Sequence, residues 1–140
     1  MINIEDIKKL REETGASPVK IKKALEESGE DLQKAKEFLK SWGATKAGEK
    51  SGRETSDGAI DFYLHPNAKS GVLLDIRCET DFVAKNPDFK SLAHEICLHI
   101  AAMQPENVQA LLAQPWVKDG AKTIESLIKE TVAKIGENIQ

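Results

Sequence analysis

Hydrophobic residues recur at helical spacing over residues 1–43. Three amphipathic helices are predicted there, preceded by the capping residues Asn3, Ser17 and Asp31. Each is followed by a glycine, the last of which is Gly43, and glycine is typical of the position just beyond a helix. The predicted inner faces comprise Ile4, Ile7 and Leu10, then Ile21, Ala24, Leu25 and Ser28, and finally Leu32, Ala35, Phe38, Leu39 and Trp42.

The pattern stops at residues 44–57, which are mostly Thr, Gly, Lys, Ser and Glu. A stretch with so little apolar content has little to bury and is typical of a solvated linker. We therefore expect two units that move relative to each other until a common partner is bound.

Apolar and polar residues then alternate in two stretches on either side of residues 65–71, a turn sequence with proline, asparagine and glycine. Alternation predicts strands with one buried face, here an antiparallel hairpin. Two strands alone are marginally stable, so helices or a third strand must cover that face. The predicted apolar face comprises Ile60, Phe62 and Leu64 in the first strand and Val72, Leu74, Ile76 and Cys78 in the second.

Helical spacing returns for most of the remaining chain. Thr80 can cap a short turn, Asn86 followed by Pro87 starts a long helix, and Thr123 caps a last helix ended by Gly136. A short helix and a loop over residues 114–120 separate the two longer helices. The predicted inner face of the long helix comprises Phe89, Leu92, Ala93, Ile96, Ile100 and Met103. The short helix is indicated by Val108, Leu111 and Leu112, and the last helix carries Ile124, Leu127, Ile128, Thr131 and Ile135.

These elements predict an α+β protein in three parts: a three-helix bundle over residues 1–43, a linker over residues 44–57, and a hairpin packed with helices over residues 58–140. The bundle is near the lower size limit for independent folding.

Composition narrows the functional class. Of the 140 residues, 40% are hydrophobic and 31% charged, as in soluble globular proteins, and the net charge is −3. The net charge does not indicate the basic surface that is typical of a nucleic-acid-binding protein. Over residues 1–43, nine basic residues balance nine acidic ones. No apolar run approaches the roughly 18 residues of a membrane span, and the first six residues lack the basic-then-apolar pattern that is typical of a signal peptide. We expect a protein partner, in the cytoplasm or, after removal of a transit peptide, in an organelle matrix.

The residues that usually carry chemistry are sparse. Cys78 and Cys97 lack metal-ligand spacing and are expected to be reduced core residues. His94 and His99 stand five apart, which at about 100° per residue places them well apart around a helix instead of on one zinc-binding face. There is no nucleophile with a motif partner and no glycine-rich phosphate loop. The sequence predicts neither an enzyme nor a bound cofactor or metal.

Residues 78–86, with the sequence CETDFVAKN, join the hairpin to the long helix. Phe82 and Val83 fall in this short connection, where an apolar side chain has no obvious inward face. From composition alone, Phe82 either tucks under its own helix or is presented to a partner. The nine residues resemble the signature of elongation factor Ts, the family of nucleotide-exchange factors for the GTPase elongation factor Tu.

Two further stretches extend the resemblance. LREETGAS and KKALEESGEDLQKAKEFL, within residues 10–39, are similar to the family's N-terminal module, which has the fold of ubiquitin-associated (UBA) domains. IGENIQ, residues 135–140, resembles KIGENI, after which the family normally has a further strand. Larger members also have a second core half and a coiled-coil insertion. The chain thus resembles a fragment or a short form. For a short form, we expect self-association through a free sheet edge to supply what is missing.

The resemblance implies a mechanism without covalent chemistry. The loop matching Thr80, Asp81, Phe82 and Val83 enters elongation factor Tu near its Mg²⁺ site. There Phe82 would wedge between helices, and Asp81 would disturb the surroundings of the metal. Because Mg²⁺ and the phosphate loop together hold GDP, displacing either weakens nucleotide binding.

The resemblance also implies secondary contacts, by Arg11 and Val19 from the bundle and by Lys85 at the rim of the loop. Here Pro18-Val19-Lys20-Ile21 replaces the family's usual methionine pair and Asp-Cys, so the adaptable methionine surface is missing. The alternative from another class is a UBA-type scaffold that binds ubiquitin without exchange activity. It accounts for residues 1–43 but not for CETDFVAKN.

Overall fold

The computed structural model describes residues 2–140, which contain seven α-helices and four β-strands. Three helices come first, and a two-stranded hairpin and the remaining helices follow, which confirms the α+β class. In chain order the elements are α1 (Ile4–Thr14), α2 (Pro18–Glu27), α3 (Leu32–Lys50), β1 (Asp57–Leu64), β2 (Gly71–Cys78), α4 (Asp81–Ala84), α5 (Pro87–Met103), α6 (Val108–Ala113), β3 (Pro115–Trp116), β4 (Asp119–Thr123) and α7 (Ile124–Ile135).

The N-terminal bundle is built as the sequence predicts. The side chains of Asn3, Ser17 and Asp31 accept hydrogen bonds from the first backbone N–H groups of α1, α2 and α3. Two predicted inner residues are exceptions: Ile4, in the first turn of α1, is 70% exposed, and Phe38 lies at the bundle edge against the ring of Trp42. The buried core comprises Leu10, Ile21, Ala24, Leu25, Ala35 and Leu39.

The predicted end of the third helix is wrong. Gly43 does not terminate α3, which continues to Lys50, so residues 44–50 are helical and not part of a solvated linker. The physical reason is tertiary packing: Ala47 is buried within the core of the second part of the chain. The division into folding units at residues 1–43 and 58–140 stays a prediction.

Helix α3 lies along α7, so the bundle and the second part of the chain are in direct contact. At Gly43 the two helices approach so closely that an added Cβ atom would lie 3.1 Å from the Cβ of Ala133. Nearby, Lys40 Nζ is 3.5 Å from Glu130 Oε1, and Lys122 Nζ is 3.0 Å from Glu130 Oε2. The Lys40–Glu130 pair joins α3 to α7, but an ion pair with so exposed a lysine contributes little, so packing holds the two helices together.

The hairpin has the predicted strands but a different distribution of apolar residues. Ile76 pairs with Ala59 and Leu74 with Asp61, and directly opposed residues share a face. This register turns Leu74, Ile76 and Cys78 inward but directs the large aliphatic and phenylalanine side chains of β1 outward. The predicted single apolar face is therefore wrong: Ile60, Phe62 and Leu64 lie on the outer face and are 59–68% exposed.

Helices α5 and α4 cover the inner face of the hairpin, and α7 and the end of α3 complete the main core. Phe89, Leu92, Ala93 and Ile96 lie in this core as predicted. Met103 does not, because it occupies the last turn of α5 and is 45% exposed. Part of the loop predicted at residues 114–120 instead forms the strands β3 and β4.

No helix within residues 2–140 has both the length and the apolar character needed to cross a membrane.

Candidate functional site

Helix α4 is a single turn between β2 and α5. Thr80 caps it with its hydroxyl oxygen, which accepts a hydrogen bond from the backbone N–H of Val83. Val83 and Ala84 are buried in the main core, whereas Phe82 is 82% exposed. The structure therefore rules out one of the two alternatives left by composition: the Phe82 side chain does not tuck under its own helix but points to solvent.

Charged groups flank the exposed ring. Asp81 is exposed and forms an ion pair with Lys85, with 3.5 Å between Lys85 Nζ and Asp81 Oδ2. Both side chains are more than half exposed, so this pair is easily opened in favour of a partner's charges. Asn86 caps α5, and its Oδ1 accepts a hydrogen bond from the Asp88 N–H at 2.8 Å. The cap prediction for Asn86 is confirmed.

Two residues near the C-terminal end of the described chain also belong to this site and were not singled out from the sequence. The carboxylate of Glu137 accepts hydrogen bonds from the backbone N–H groups of Glu79 and Thr80 and from the Thr80 hydroxyl. Asn138 donates its backbone N–H to Glu79 Oε1. The sequence holds no periodic signal for either contact, because both span more than fifty residues.

The predicted secondary contact residues lie in the bundle, away in sequence from α4. Arg11 is exposed in the last turn of α1, and Val19, in the first turn of α2, is 79% exposed. Both side chains are available to a partner. No described hydrogen bond or ion pair joins either residue to Thr80, Asp81 or Phe82.

The two cysteines and the two histidines of α5 have structural surroundings, and among them Cys78 contacts the site. Burial, together with the charge of Glu137, raises the pKa of the Cys78 thiol, which donates to the Thr80 carbonyl oxygen at 3.2 Å. Burial raises the pKa of Cys97 to about 11. The ring of His99 is buried between Gln114 and Val117, whereas His94 is exposed. Thiols that keep their protons at neutral pH are poor nucleophiles.

Comparison with known proteins points to one family. Residues 79–140 match the family model described as elongation factor TS, a range that includes α4 and Glu137. The chain is 40% identical to the elongation factor Ts of Rubrobacter xylanophilus over 181 residues, which covers 97% of this chain and 93% of the relative. It is 42% identical to that of Coprothermobacter proteolyticus over 178 residues, which covers 95% of this chain and 90% of the relative.

A third relative is longer. The elongation factor Ts of Aquifex aeolicus is 45% identical over 144 residues, covering 99% of this chain but 50% of the relative. The chain therefore spans about half the length of that protein. With 40% identity to a relative that it covers almost completely, and with a family model matched at the site, the chain belongs to the elongation factor Ts family.

Proposed function

We propose that this chain promotes GDP release from elongation factor Tu during translation elongation, and that Phe82 enters the GTPase beside its Mg²⁺ and phosphate site. One observation carries the proposal: a phenylalanine that is 82% exposed stands directly before two buried residues of a capped helical turn. An isolated aromatic side chain held out from a rigid turn is suited to insertion into a partner's pocket. Asp81, beside it, brings a negative charge towards the surroundings of the metal.

Thermodynamic linkage sets the size of the effect that the contact must have. The factor loosens GDP only to the extent that it binds nucleotide-free elongation factor Tu more tightly than the GDP form. A shift of about 10⁴-fold needs about 5.5 kcal/mol of differential binding. Complete burial of one phenylalanine supplies roughly 1.5–3 kcal/mol. Phe82 therefore cannot act alone, and surrounding contacts must supply the rest.

The bundle is the natural source of further contacts. Arg11 and Val19 expose a cation and an apolar side chain there, and Lys85 exposes a second cation beside Phe82. Because α3 packs on α7, contacts at the bundle and at α4 form from one molecule without closing a flexible loop. We assign these three residues to secondary binding of elongation factor Tu.

The experiment that tests the function is stopped-flow release of a fluorescent GDP from elongation factor Tu. The Phe82→Ala variant should lose most of the acceleration, and Phe82→Leu should retain part of it. Val108→Ala, which truncates another exposed apolar side chain on α6, is the matched control and should behave as the parent. Release that is as fast with Phe82→Ala as with the parent would show that the wedge role is wrong.

The exchange role involves no bond making, so we propose a binding protein without enzymatic turnover, bound cofactor or direct nucleic-acid contact. We place its action where its partner in translation works, which is the cytoplasm or, for an imported form, an organelle matrix. The UBA-type scaffold remains the alternative for the bundle. Titration with ubiquitin and, separately, with elongation factor Tu distinguishes them, and we expect binding only of the latter.

Self-association also belongs to the proposal. Pairing through the free edge of β2 is restricted, because Arg77 and Gln140 exchange backbone hydrogen bonds of 2.7 and 3.0 Å at that edge. The exposed apolar residues of the outer hairpin face offer another contact area for a second copy.

A further inference from the structure

The segment after α7 reaches back to the base of α4. Gly136 ends α7 in the left-handed conformation, with φ of 89°, which turns the chain sharply. Ile139 is then buried in the main core, and Gln140 pairs with Arg77 of β2. We call residues 136–140 the C-terminal strap. It places Glu137 directly beside Glu79 and Thr80.

Both oxygens of the Glu137 carboxylate take part in this contact. Its Oε1 accepts from the N–H of Glu79 at 3.2 Å and of Thr80 at 3.0 Å, and its Oε2 accepts from the Thr80 hydroxyl at 2.7 Å. Hydrogen bonds to an ionised acceptor are stronger than neutral ones. This one side chain therefore fixes both the backbone and the side chain of the α4 capping residue.

The orientation of the Thr80 hydroxyl follows from its single proton. Because that proton is donated to Glu137, only lone pairs remain for other partners. One of them faces the N–H of Val83, at 3.4 Å, in the capping contact. Glu137 thus holds the cap in the state that supports the first turn of α4.

Helix α4 needs such support. It has four residues, and a single turn has no stability of its own, since nucleating a helix is unfavourable. Phe82, being 82% exposed, contributes almost no packing that would fix its own position. Its direction is set by the burial of Val83 and Ala84 on one side and by the Thr80 cap on the other.

The strap itself is anchored independently of α4. The Asn138 side chain is buried, and its Nδ2 donates to the carbonyl oxygens of Ser51 at 3.3 Å and Arg53 at 2.8 Å. Its backbone N–H donates to Glu79 Oε1 at 2.8 Å. Glu137 is therefore held by the segment that follows α3, and it transmits that rigidity to the base of α4.

We propose that Glu137 is a positioning residue for nucleotide exchange, holding the Thr80 cap so that Phe82 is presented in one orientation. This inference rests on the proposed function and adds a residue remote in sequence to the loop that performs it. Glu137 acts through Thr80 and does not itself contact the partner.

The first test needs no partner. Backbone amide exchange of the whole chain, followed by NMR, reports on Ala84 and Lys85, whose N–H groups donate to Thr80 and Asp81 across the turn. Glu137→Ala should speed exchange at these two amides at least about tenfold while α5 is unchanged. Glu137→Gln, which keeps both backbone contacts, should restore most of the protection. Unchanged protection in Glu137→Ala overturns the inference.

The second test is a double-mutant cycle measured by GDP release from elongation factor Tu. Glu137→Ala should slow release about tenfold in the parent background and have no further effect in the Phe82→Ala background. Equal effects in both backgrounds would show that Glu137 acts independently of Phe82 and overturn the inference. Glu125→Ala, which removes an exposed ion pair with Lys129 on α7, is the matched control and should leave both measurements unchanged.

The two tests separate the inference from the function on which it rests. If GDP release is as fast with Phe82→Ala as with the parent, the proposed function is wrong, and so is a role of Glu137 in nucleotide exchange. Even then, the amide-exchange measurement shows whether Glu137 stabilises the helical turn α4. If Phe82→Ala abolishes exchange but Glu137→Ala changes neither measurement, the function stands and the positioning role is wrong.

Discussion

Phe62 lies directly opposite Leu73 in the β1–β2 hairpin, and both side chains point to solvent, with exposed fractions of 68% and 77%. Ile60 and Leu64 flank them on the same face of the hairpin. A contiguous group of large exposed apolar side chains is unusual on a monomeric protein and marks a contact area. The opposite face of the same two strands packs on α5, so the hairpin has an apolar surface on both sides.

We therefore expect two copies to associate through the outer hairpin face, giving twice the chain mass of 15.4 kDa by light scattering after size exclusion. Leu73→Glu should yield the monomer, because a carboxylate would be buried without a partner. Val108→Glu, at an exposed position on α6, should leave the mass unchanged. A monomeric parent at high concentration would refute this expectation.

The hairpin also shows what the sequence could not supply. Alternation predicts both strands and their turn correctly, because it depends only on neighbours along one strand. The face on which β1 places its large residues depends on the pairing of Ala59 with Ile76. A shift of one residue in that pairing would turn every side chain of β1 over. Alternation within each strand does not encode this register.

The junction between the bundle and the core gives the second prediction. Gly43→Leu should loosen α3 from α7, since even a Cβ atom at this position would lie 3.1 Å from Ala133. The helix itself should persist, because leucine favours helix more than glycine does. We expect faster amide exchange along α7 and a larger radius of gyration by X-ray scattering.

The matched control lies on the same helix. Gly48 has no atom within 4 Å of an added Cβ, so Gly48→Leu should leave the radius of gyration unchanged and stabilise α3 by up to about 1 kcal/mol. Equal behaviour of the two variants would mean that the close contact at Gly43 does not hold the bundle in place.

The buried imidazole of His99 gives the third prediction. Its Nδ1 accepts from the Val117 N–H at 3.3 Å, so its Nε2 carries the proton and donates to Gln114 Oε1 at 3.0 Å. His99→Leu keeps the side-chain volume but leaves the Val117 N–H and the Gln114 side chain without their hydrogen bonds to the ring. It should lower the free energy of unfolding by about 2–4 kcal/mol in urea titration. His94→Leu, exposed on the same helix, should change it by less than about 0.5 kcal/mol.

The buried thiols give the fourth prediction. Burial raises the pKa of Cys97 from its ordinary value of 9.0 to about 11. The folded state then keeps a proton that the unfolded state loses above pH 9, so this contribution to stability is present below pH 9 and is lost as the pH rises towards 11. Urea titrations from pH 8 to 11 should show falling stability, and Cys97→Ala should have a flatter profile.

A thiol reagent provides the independent measurement. Cys78 and Cys97 are both buried, so at pH 8 their thiols should react slowly with the reagent in the folded chain and rapidly in the urea-unfolded chain. Rapid reaction of the folded chain would contradict the burial of these side chains.

At the candidate site, the local signals were sufficient for part of the geometry. Thr80 and Asn86 cap the helices that they were predicted to cap, because a cap is decided by a few neighbouring residues. The outward direction of Phe82 required the structure, since it depends on which neighbours reach the core. Glu137 could not be found by pattern, because its partners are 57 and 58 positions away along the chain.

The continuous helix α3 has a consequence for how a partner is met. Its 19 residues span roughly 28 Å at 1.5 Å per residue, and they run from the bundle to the main core, in which Ala47 is buried. A partner that binds the first three helices therefore finds the turn with residue 82 at a fixed distance and angle. The entropy cost of ordering the two parts relative to each other is already met when the chain folds. Once one contact has formed, the other forms without further ordering of the chain. A change in either binding surface of the partner should therefore weaken both contacts.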